Sequence, residues 1–310
     1  MSGRNFRELL EARWSEGKLV CVGLDSKVER IPSVVHPGDG YVKFGTLQLA
    51  FNCAIVEATK DLVCAYKLNP AFYLACGESG LEAMHCTIGE IHDKAPEVAV
   101  ILDGKFGGGT PEENEGYAHL AFRNYRHWQG ADAVTVNPYP GAEALEPFLA
   151  RADKGVFVLC RTSNPGAGEF QDLWASIPQD PATEPPEGVG SFLPKGRPLY
   201  QHVAYQVTDH WNKNNNCGLV VGATYPDELR EIRGLVGDMP ILIPGIGEQG
   251  GDLEATVQAG KDSRGKGMII NSSRGVIFAS SGPDFAEAAR REVLNLQEKI
   301  DEYLRKEVPV

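Results

Sequence analysis

The sequence predicts an α/β protein whose eight strands close into a (β/α)8 TIM barrel, in one domain over residues 1–310. Eight short apolar runs recur along the chain, each followed by a plausible helical stretch. The runs are nearly continuous in Val, Ile and Leu rather than alternating, as strands buried on both faces must be. Charged residues gather at the C-terminal ends of the first three runs, where an α/β barrel keeps its chemistry. A doubly wound open sheet is the competing architecture.

The expected strands occupy residues 19–25, 62–68, 98–105, 133–139, 155–163, 218–224, 240–247 and 268–273. Helical periodicity follows them, for example over 81–94 and 252–259. After the fifth run, residues 177–198 are rich in Pro, Gly and acids and lack periodicity. That composition marks a surface loop inserted on the active-site face, either a lid or a passive excursion. A long charged helix at 284–306 ends the pattern as a cover for the barrel.

An apolar content of 42% supports a sizeable core, and 310 residues suit a barrel with insertions. A net charge of −12 argues against nucleic acid or an anionic membrane as the main partner. It leaves room for an anionic substrate, because a pocket can oppose the total charge. The seven cysteines form no C-x-x-C pair, and Cys21, Cys64 and Cys160 lie in apolar strands. They read as reduced thiols. The amino-terminal stretch has no apolar signal core and no run reaches membrane-spanning length, so a soluble cytoplasmic protein is expected.

The run Val-Ile-Leu-Asp-Gly-Lys sets Asp103 and Lys105 two residues apart at the end of the third strand. On a strand, that spacing points both side chains to one face. Asp25 ends the first strand and Lys67 the second. A lone charge at a strand end is usually solvated. Four of alternating sign on neighbouring strands can converge on one pocket and hold an ammonium group near a substrate.

Residues 245–250 spell G-x-G-x-x-G. A dinucleotide site would need an early βαβ unit and an acid at the end of the next strand. Here the motif follows the seventh strand, and the next one ends Ile270-Asn271-Ser272-Ser273. A phosphate cradle fits better: Gly245 and Gly247 let backbone N–H groups approach the oxygens, after a strand where barrels often bind phosphate. Arg274, just past the eighth strand, adds a fork matched to phosphate. Turn glycines and a surface arginine are the plain alternative. The histidines (His36, His85, His92, His119, His127, His202 and His210) show no metal-ligand spacing.

With these residues in view, the chain resembles the orotidine 5′-phosphate decarboxylases in their longer bacterial form. The resemblance runs from 20–25 to 270–274. It is most specific at Ala133-Val134-Thr135-Val136-Asn137-Pro138-Tyr139, at Leu159-Cys160-Arg161-Thr162-Ser163-Asn164-Pro165-Gly166 and at Gly222-Ala223-Thr224-Tyr225-Pro226. It implies a barrel homodimer with active sites completed across the interface, no metal and no cofactor, and a pyrimidine nucleoside 5′-monophosphate as ligand. The implied reaction converts orotidine 5′-monophosphate (OMP) to uridine 5′-monophosphate (UMP) and CO2. By the same resemblance Asp25 contacts the ribose and Lys67 joins the charged array. Asp103 and Lys105 match the first acid and the proton-donating lysine of a D-x-K-x-x-D signature. Ser163 matches the residue that hydrogen-bonds the pyrimidine, and Gln249 and Arg274 match the phosphate grip.

One position departs. The signature's second aspartate should stand at 108, followed by isoleucine, and this chain has Gly108 and Gly109. In the family that carboxylate reaches into the neighbouring subunit's site. Its loss removes a negative charge beside the substrate carboxylate and one partner of the catalytic lysine. Glu112 and Glu113 are the nearest substitutes, but Thr110-Pro111-Glu112-Glu113 reads as a helix start with a capping box. Impaired decarboxylation, a reaction on another pyrimidine nucleotide and a non-catalytic nucleotide binder are the alternatives. Returning an aspartate at 108 is expected to raise decarboxylation if only the array is defective.

Overall fold

Parallel strands covered on both faces leave no tolerable edge, and in this chain they close on themselves. The structure, a computed structural model, describes residues 4–36, 43–123, 129–176, 196–247 and 250–306. Strands β1 (Val20–Gly23), β2 (Ala65–Leu68), β3 (Ala99–Phe106), β4 (Ala133–Val136) and β5 (Gly155–Arg161) pair in sequence. A short antiparallel pair, β6 (Trp174–Ser176) and β7 (Gly196–Pro198), interrupts them. β8 (Cys217–Val221), β9 (Ile241–Ile243) and β10 (Met268–Ser272) complete the barrel, with β8 parallel to β5 and β10 parallel to β1. Most barrel-strand residues are buried, which is why the strands read as nearly unbroken apolar runs; the exceptions are Asp103, Gly104 and Lys105 in β3 and Leu159 in β5.

Helices alternate with the strands, as the periodicity predicts. α1 (Phe6–Ser15) precedes β1, and α2 (Phe44–Thr59) follows it. α3 (Pro70–Leu74) and α4 (Gly77–Lys94) follow β2, α5 (Pro111–Phe122) follows β3, and α6 (Gly141–Leu149) follows β4. After β5 come the short α7 (Gly168–Gln171) and, beyond the hairpin, α8 (Leu199–Gln206). The remaining helices are α9 (Pro226–Val236), α10 (Leu253–Gly260), α11 (Arg274–Ile277) and α12 (Phe285–Arg305). Asp252, inside the expected 252–259 helix, is the cap of α10 and accepts from Ala255 N at 3.0 Å. α12 fills the expected 284–306 span and packs in the outer ring between α2 and α10.

Six of the eight expected strands run past the observed ones at their C-terminal ends, while β2 ends at Leu68 as expected and β3 runs one residue further, to Phe106. β1 stops at Gly23 before Asp25, β5 at Arg161 before Ser163, and β9 at Ile243 before Gly245. Asp25, Ser163 and Gly245 thus line the cavity from beyond the ladder, whereas Lys67 lines it from within β2. Of the expected 177–198 loop, residues 177–195 lie outside the described residues, and Gly196–Pro198 form β7 instead. All seven cysteines are free, with Cys21, Cys64, Cys160 and Cys217 buried. Among the described residues no helix is long and apolar enough to cross a membrane.

α1 intersperses its apolar residues with charged ones, yet Phe6, Leu10 and Trp14 recur at four-residue spacing and bury one stripe over the N-terminal mouth. Phe6 meets Phe157 edge-on at 5.6 Å, and Trp14 Nε1 donates to Met268 O at 2.9 Å. Just before it, Arg4 grips buried Asp132, with Nε and Nη2 on separate carboxylate oxygens at 2.8 Å. Val100 N adds a bond at 2.9 Å. Burial alone would oppose ionisation of Asp132, but the hydrogen-bonded Arg4 guanidinium, with His92 Nε2 3.5 Å away, holds its carboxyl well below the usual range. Asp132→Ala strands the cation at the strand ends and should cost about 3–5 kcal/mol in urea unfolding. Because the folded carboxyl titrates below its unfolded value of about 3.9, this stabilisation exists above that pH and fades as pH falls. The unaltered protein should therefore lose stability in acid more steeply than the variant, and matching acid profiles would contradict the assignment.

Candidate active site

The chemistry-bearing end of β3 is not a plain strand. Ile101 and Leu102 pair with Ala133 and Val134, and Phe106 then pairs with Val136. Asp103, Gly104 and Lys105 together stand opposite the single Thr135, which makes a bulge that re-aims their side chains. Lys105 takes a φ of 49°, a left-handed conformation that costs a non-glycine residue about 1–3 kcal/mol. Thr135 holds it there, its Oγ1 accepting from Lys105 N at 2.9 Å and donating to Asp103 Oδ1 at 2.8 Å. The sequence reading put Asp103 and Lys105 on one face through simple alternation. They do converge, but through the bulge. Thr135 shows in the sequence only as a hydroxyl inside an otherwise apolar run.

Four charges form one chain of contacts. Asp25 Oδ1 lies 3.6 Å from Lys67 Nζ, Lys67 Nζ lies 3.1 Å from Asp103 Oδ2, and Asp103 Oδ1 lies 2.7 Å from Lys105 Nζ. Asp25 stands beyond β1, fixed by its neighbours: Leu24 N donates to Lys67 O and Tyr73 OH to Leu24 O, both at 2.8 Å. Gln48 Nε2 donates to Ser26 O at 2.9 Å. Desolvation disfavours both charges of the Lys67–Asp103 pair, and their partners overcome it. Asp103 and Asp25 raise the Lys67 ammonium above its ordinary pKa. Lys67, Lys105 and Thr135 hold the Asp103 carboxyl well below the carboxylate range. The lysines differ in access. The Lys67 side chain is 5% exposed and the Lys105 side chain 47%, so Lys105 is the ammonium a ligand can reach.

These four residues line a cavity of about 450 Å³ at the C-terminal end of the barrel. Ser163 and Asn164 line it from the turn after β5, Gly245 and Ile246 from the loop after β9, and Arg274 from the start of α11. In the β9 loop Gly245, Gly247 and Gly250 have φ of 103°, 94° and 78°. Glycine alone adopts these angles readily, which accounts for the spacing of the motif. Gly250 N donates to Gly247 O at 2.9 Å, and Gly251 N to Gly245 O at 3.3 Å. Gly247 is exposed and sits at the rim, outside the residues that line the cavity. Gln249 lies outside the described residues. No cluster of metal-ligating side chains occurs among the described residues.

Gly108 is not among the residues that line the cavity. Its N–H donates to Asn114 Oδ1 and its carbonyl accepts from Asn114 Nδ2, each at 2.9 Å. A Cβ at 108 would come within 2.7 Å of Glu113 Cβ. Glu113 is held by the expected capping box: Thr110 N donates to its Oε2 at 3.1 Å, and its own N–H donates to Thr110 Oγ1 at 3.3 Å. The loop is folded back on α5, and an aspartate at 108 would displace Glu113 and set a like charge beside it. Gly108→Asp should therefore cost about 1 kcal/mol through the disturbed cap, read as a lowered Tm. An unchanged Tm would mean that the loop re-forms freely around the new side chain.

Residues 18–183 match the family model for the orotidine 5′-phosphate decarboxylase / HUMPS family. The chain belongs to that family. The orotidine 5′-phosphate decarboxylase of Cellvibrio japonicus is 44% identical over 305 residues, covering 96% of this chain and 98% of its own. That of Ralstonia pickettii is 45% identical over 302 residues, with coverage of 96% and 98%. Among solved structures, the OMP decarboxylase of Leishmania donovani is similar with a TM-score of 0.70 at 31% identity, covering 95% of this chain and 99% of that one. The family model spans Asp25, Lys67, Asp103, Lys105 and Ser163 but ends before Gly245 and Arg274. The likeness to the two bacterial decarboxylases, at 96% of this chain, is not confined to that span.

Proposed function

We propose that this chain decarboxylates OMP to UMP and CO2, with Lys105 as the proton donor. One observation carries the reading. An unbroken Asp25–Lys67–Asp103–Lys105 chain, with contacts of 3.6, 3.1 and 2.7 Å, lines the cavity of a protein in this family.

Breaking the bond from C6 to the carboxylate leaves an electron pair on C6 that the ring delocalises poorly. CO2 departs, and the Lys105 ammonium group returns one proton to C6, so charge and atoms balance with no redox step. A fixed cation beside C6 stabilises the pair as it develops and then neutralises it. Lys67, enclosed by two carboxylates, keeps its proton and holds Asp103 ionised. Asp103 in turn holds Lys105 over the reacting carbon. We assign the ribose to Asp25, the pyrimidine to Ser163 and the 5′-phosphate to Gly245, Gly247, Gln249 and Arg274. Binding energy at the phosphate then orients a ring that offers few contacts of its own.

With glycine at 108, the array holds two lysines against two aspartates, and a third carboxylate no longer opposes the substrate's own. Less repulsion favours ground-state binding of the anion and removes a source of stress relieved as CO2 leaves. The expected outcome is retained binding with slower turnover than a complete signature would give. A non-catalytic nucleotide binder, or an enzyme for another pyrimidine nucleotide, is the second reading that Gly108 favours. We also propose a homodimer in a reducing cytoplasm. The seven free thiols suit that compartment, and Tyr139, 92% exposed, lies beside Phe170 in a second, apolar cavity that a partner copy would cover.

Single-turnover release of CO2 from OMP, measured beside the Kd for UMP, tests the assignment. Lys105→Ala should slow release by about 10²–10⁴-fold, with the UMP Kd within about threefold. CO2 release that survives the substitution would overturn the role of Lys105. Tight UMP binding by the unaltered protein with no CO2 at all would favour the binder.

A further inference from the structure

The turn that carries Ser163 into the cavity is held by side chains rather than by a ladder. Gln171 at the end of α7 accepts from Thr162 N through Oε1 and donates through Nε2 to Thr162 Oγ1, both at 2.9 Å. Thr162 Oγ1 donates onward to Asn164 Oδ1 at 2.7 Å. Gln171 is itself anchored: Arg161 Nη1 donates to its Oε1 at 3.3 Å, and Arg161 Nη2 donates to Asp172 Oδ2 at 3.3 Å.

Arg161 is 2% exposed, and its guanidinium lies 3.8 Å from the centre of the Tyr225 ring. A stacked planar cation is preorganised, so it aims a hydrogen bond at little entropic cost. The far side of the turn is equally fixed. A Cβ on Gly222 would come within 2.7 Å of Ser163 Cα and Cβ, and Thr224 Oγ1 donates to Ser163 O at 3.3 Å. Ser163 therefore sits in a slot between the Gln171 bonds and the β8 end.

We propose that Gln171, oriented by Arg161, is the positioning residue for base recognition. The relay Arg161–Gln171–Thr162 sets where the Ser163 hydroxyl meets the pyrimidine ring. This rests on the placement of the base beside Ser163 given under Proposed function. The lysine–aspartate array belongs to other strands and shares no hydrogen bond with these residues among those described, so the relay governs how the base is held rather than how the proton is delivered.

Calorimetric binding of UMP and of ribose 5-phosphate, which lacks the base, tests this in the unaltered protein, Gln171→Ala and Thr162→Val. The unaltered protein should prefer UMP by at least about tenfold. Q171A should weaken UMP about tenfold and leave ribose 5-phosphate within about twofold, with KM for OMP rising in step and kcat changing less than about threefold. T162V keeps the shape but loses the shared hydroxyl. It should show the same selective loss at smaller size, and it decides the question if Q171A fails to fold. Equal weakening of both ligands, as a merely structural role predicts, or an unchanged UMP affinity, overturns the proposal and leaves the catalytic assignment standing. An unaltered protein that does not prefer UMP overturns the base placement itself.

Discussion

One buried carboxylate organises this site. Asp103 lies between two ammonium groups, 3.1 Å from Lys67 and 2.7 Å from Lys105, and accepts a third bond from Thr135. Burial makes an isolated charge costly for Lys67 and Asp103, so that pair requires its partners, while the more exposed Lys105 completes the chain. Remove Asp103, and two lysines repel each other at the mouth of the barrel. Remove Lys67, and Asp103 loses one of the two cations that keep it ionised. The ends of β1, β2, β3 and β4 are therefore bound to one another through side chains, beyond the ladder that joins their middles.

The barrel makes this arrangement possible because neighbouring parallel strands deliver their C-terminal ends to one cavity. The bulge in β3 is the local price of reaching the right geometry: Lys105 is strained, and Thr135 holds it by bonding both its backbone and its carboxylate partner. The other end of the cavity uses backbone instead. The β9 loop turns through three left-handed glycines and brings Gly245 to the cavity wall, which Arg274 also lines from the start of α11. Gly108 shows the reverse case, in which the absence of a side chain lets a loop fold back on its own helix cap, outside the residues that line the cavity.

Much of this was legible in the sequence, for physical reasons. Strands buried on both faces must be apolar throughout, so all eight barrel strands stood out, and charges at their ends marked the working face. The capping box at Thr110 and Glu113 was readable because it depends only on local spacing. The bulge was not, since alternation and bulge both bring Asp103 and Lys105 together. α1 escaped notice because three apolar residues on one stripe suffice when the barrel mouth supplies the rest of the core. Thr135 and Gln171 were silent for another reason. Their roles come from partners brought near by folding, and nothing in the runs Ala-Val-Thr-Val or Glu-Phe-Gln-Asp announces those partners.

The central claim is that this array holds the Lys105 ammonium over the reacting carbon of a nucleotide anchored by its phosphate. A crystal structure with UMP bound tests it most directly. The account predicts Lys105 Nζ within about 3–3.5 Å of the pyrimidine C6, with the 5′-phosphate against Gly245 and Arg274. A lysine turned away from the ring, or a phosphate lodged elsewhere, would contradict it.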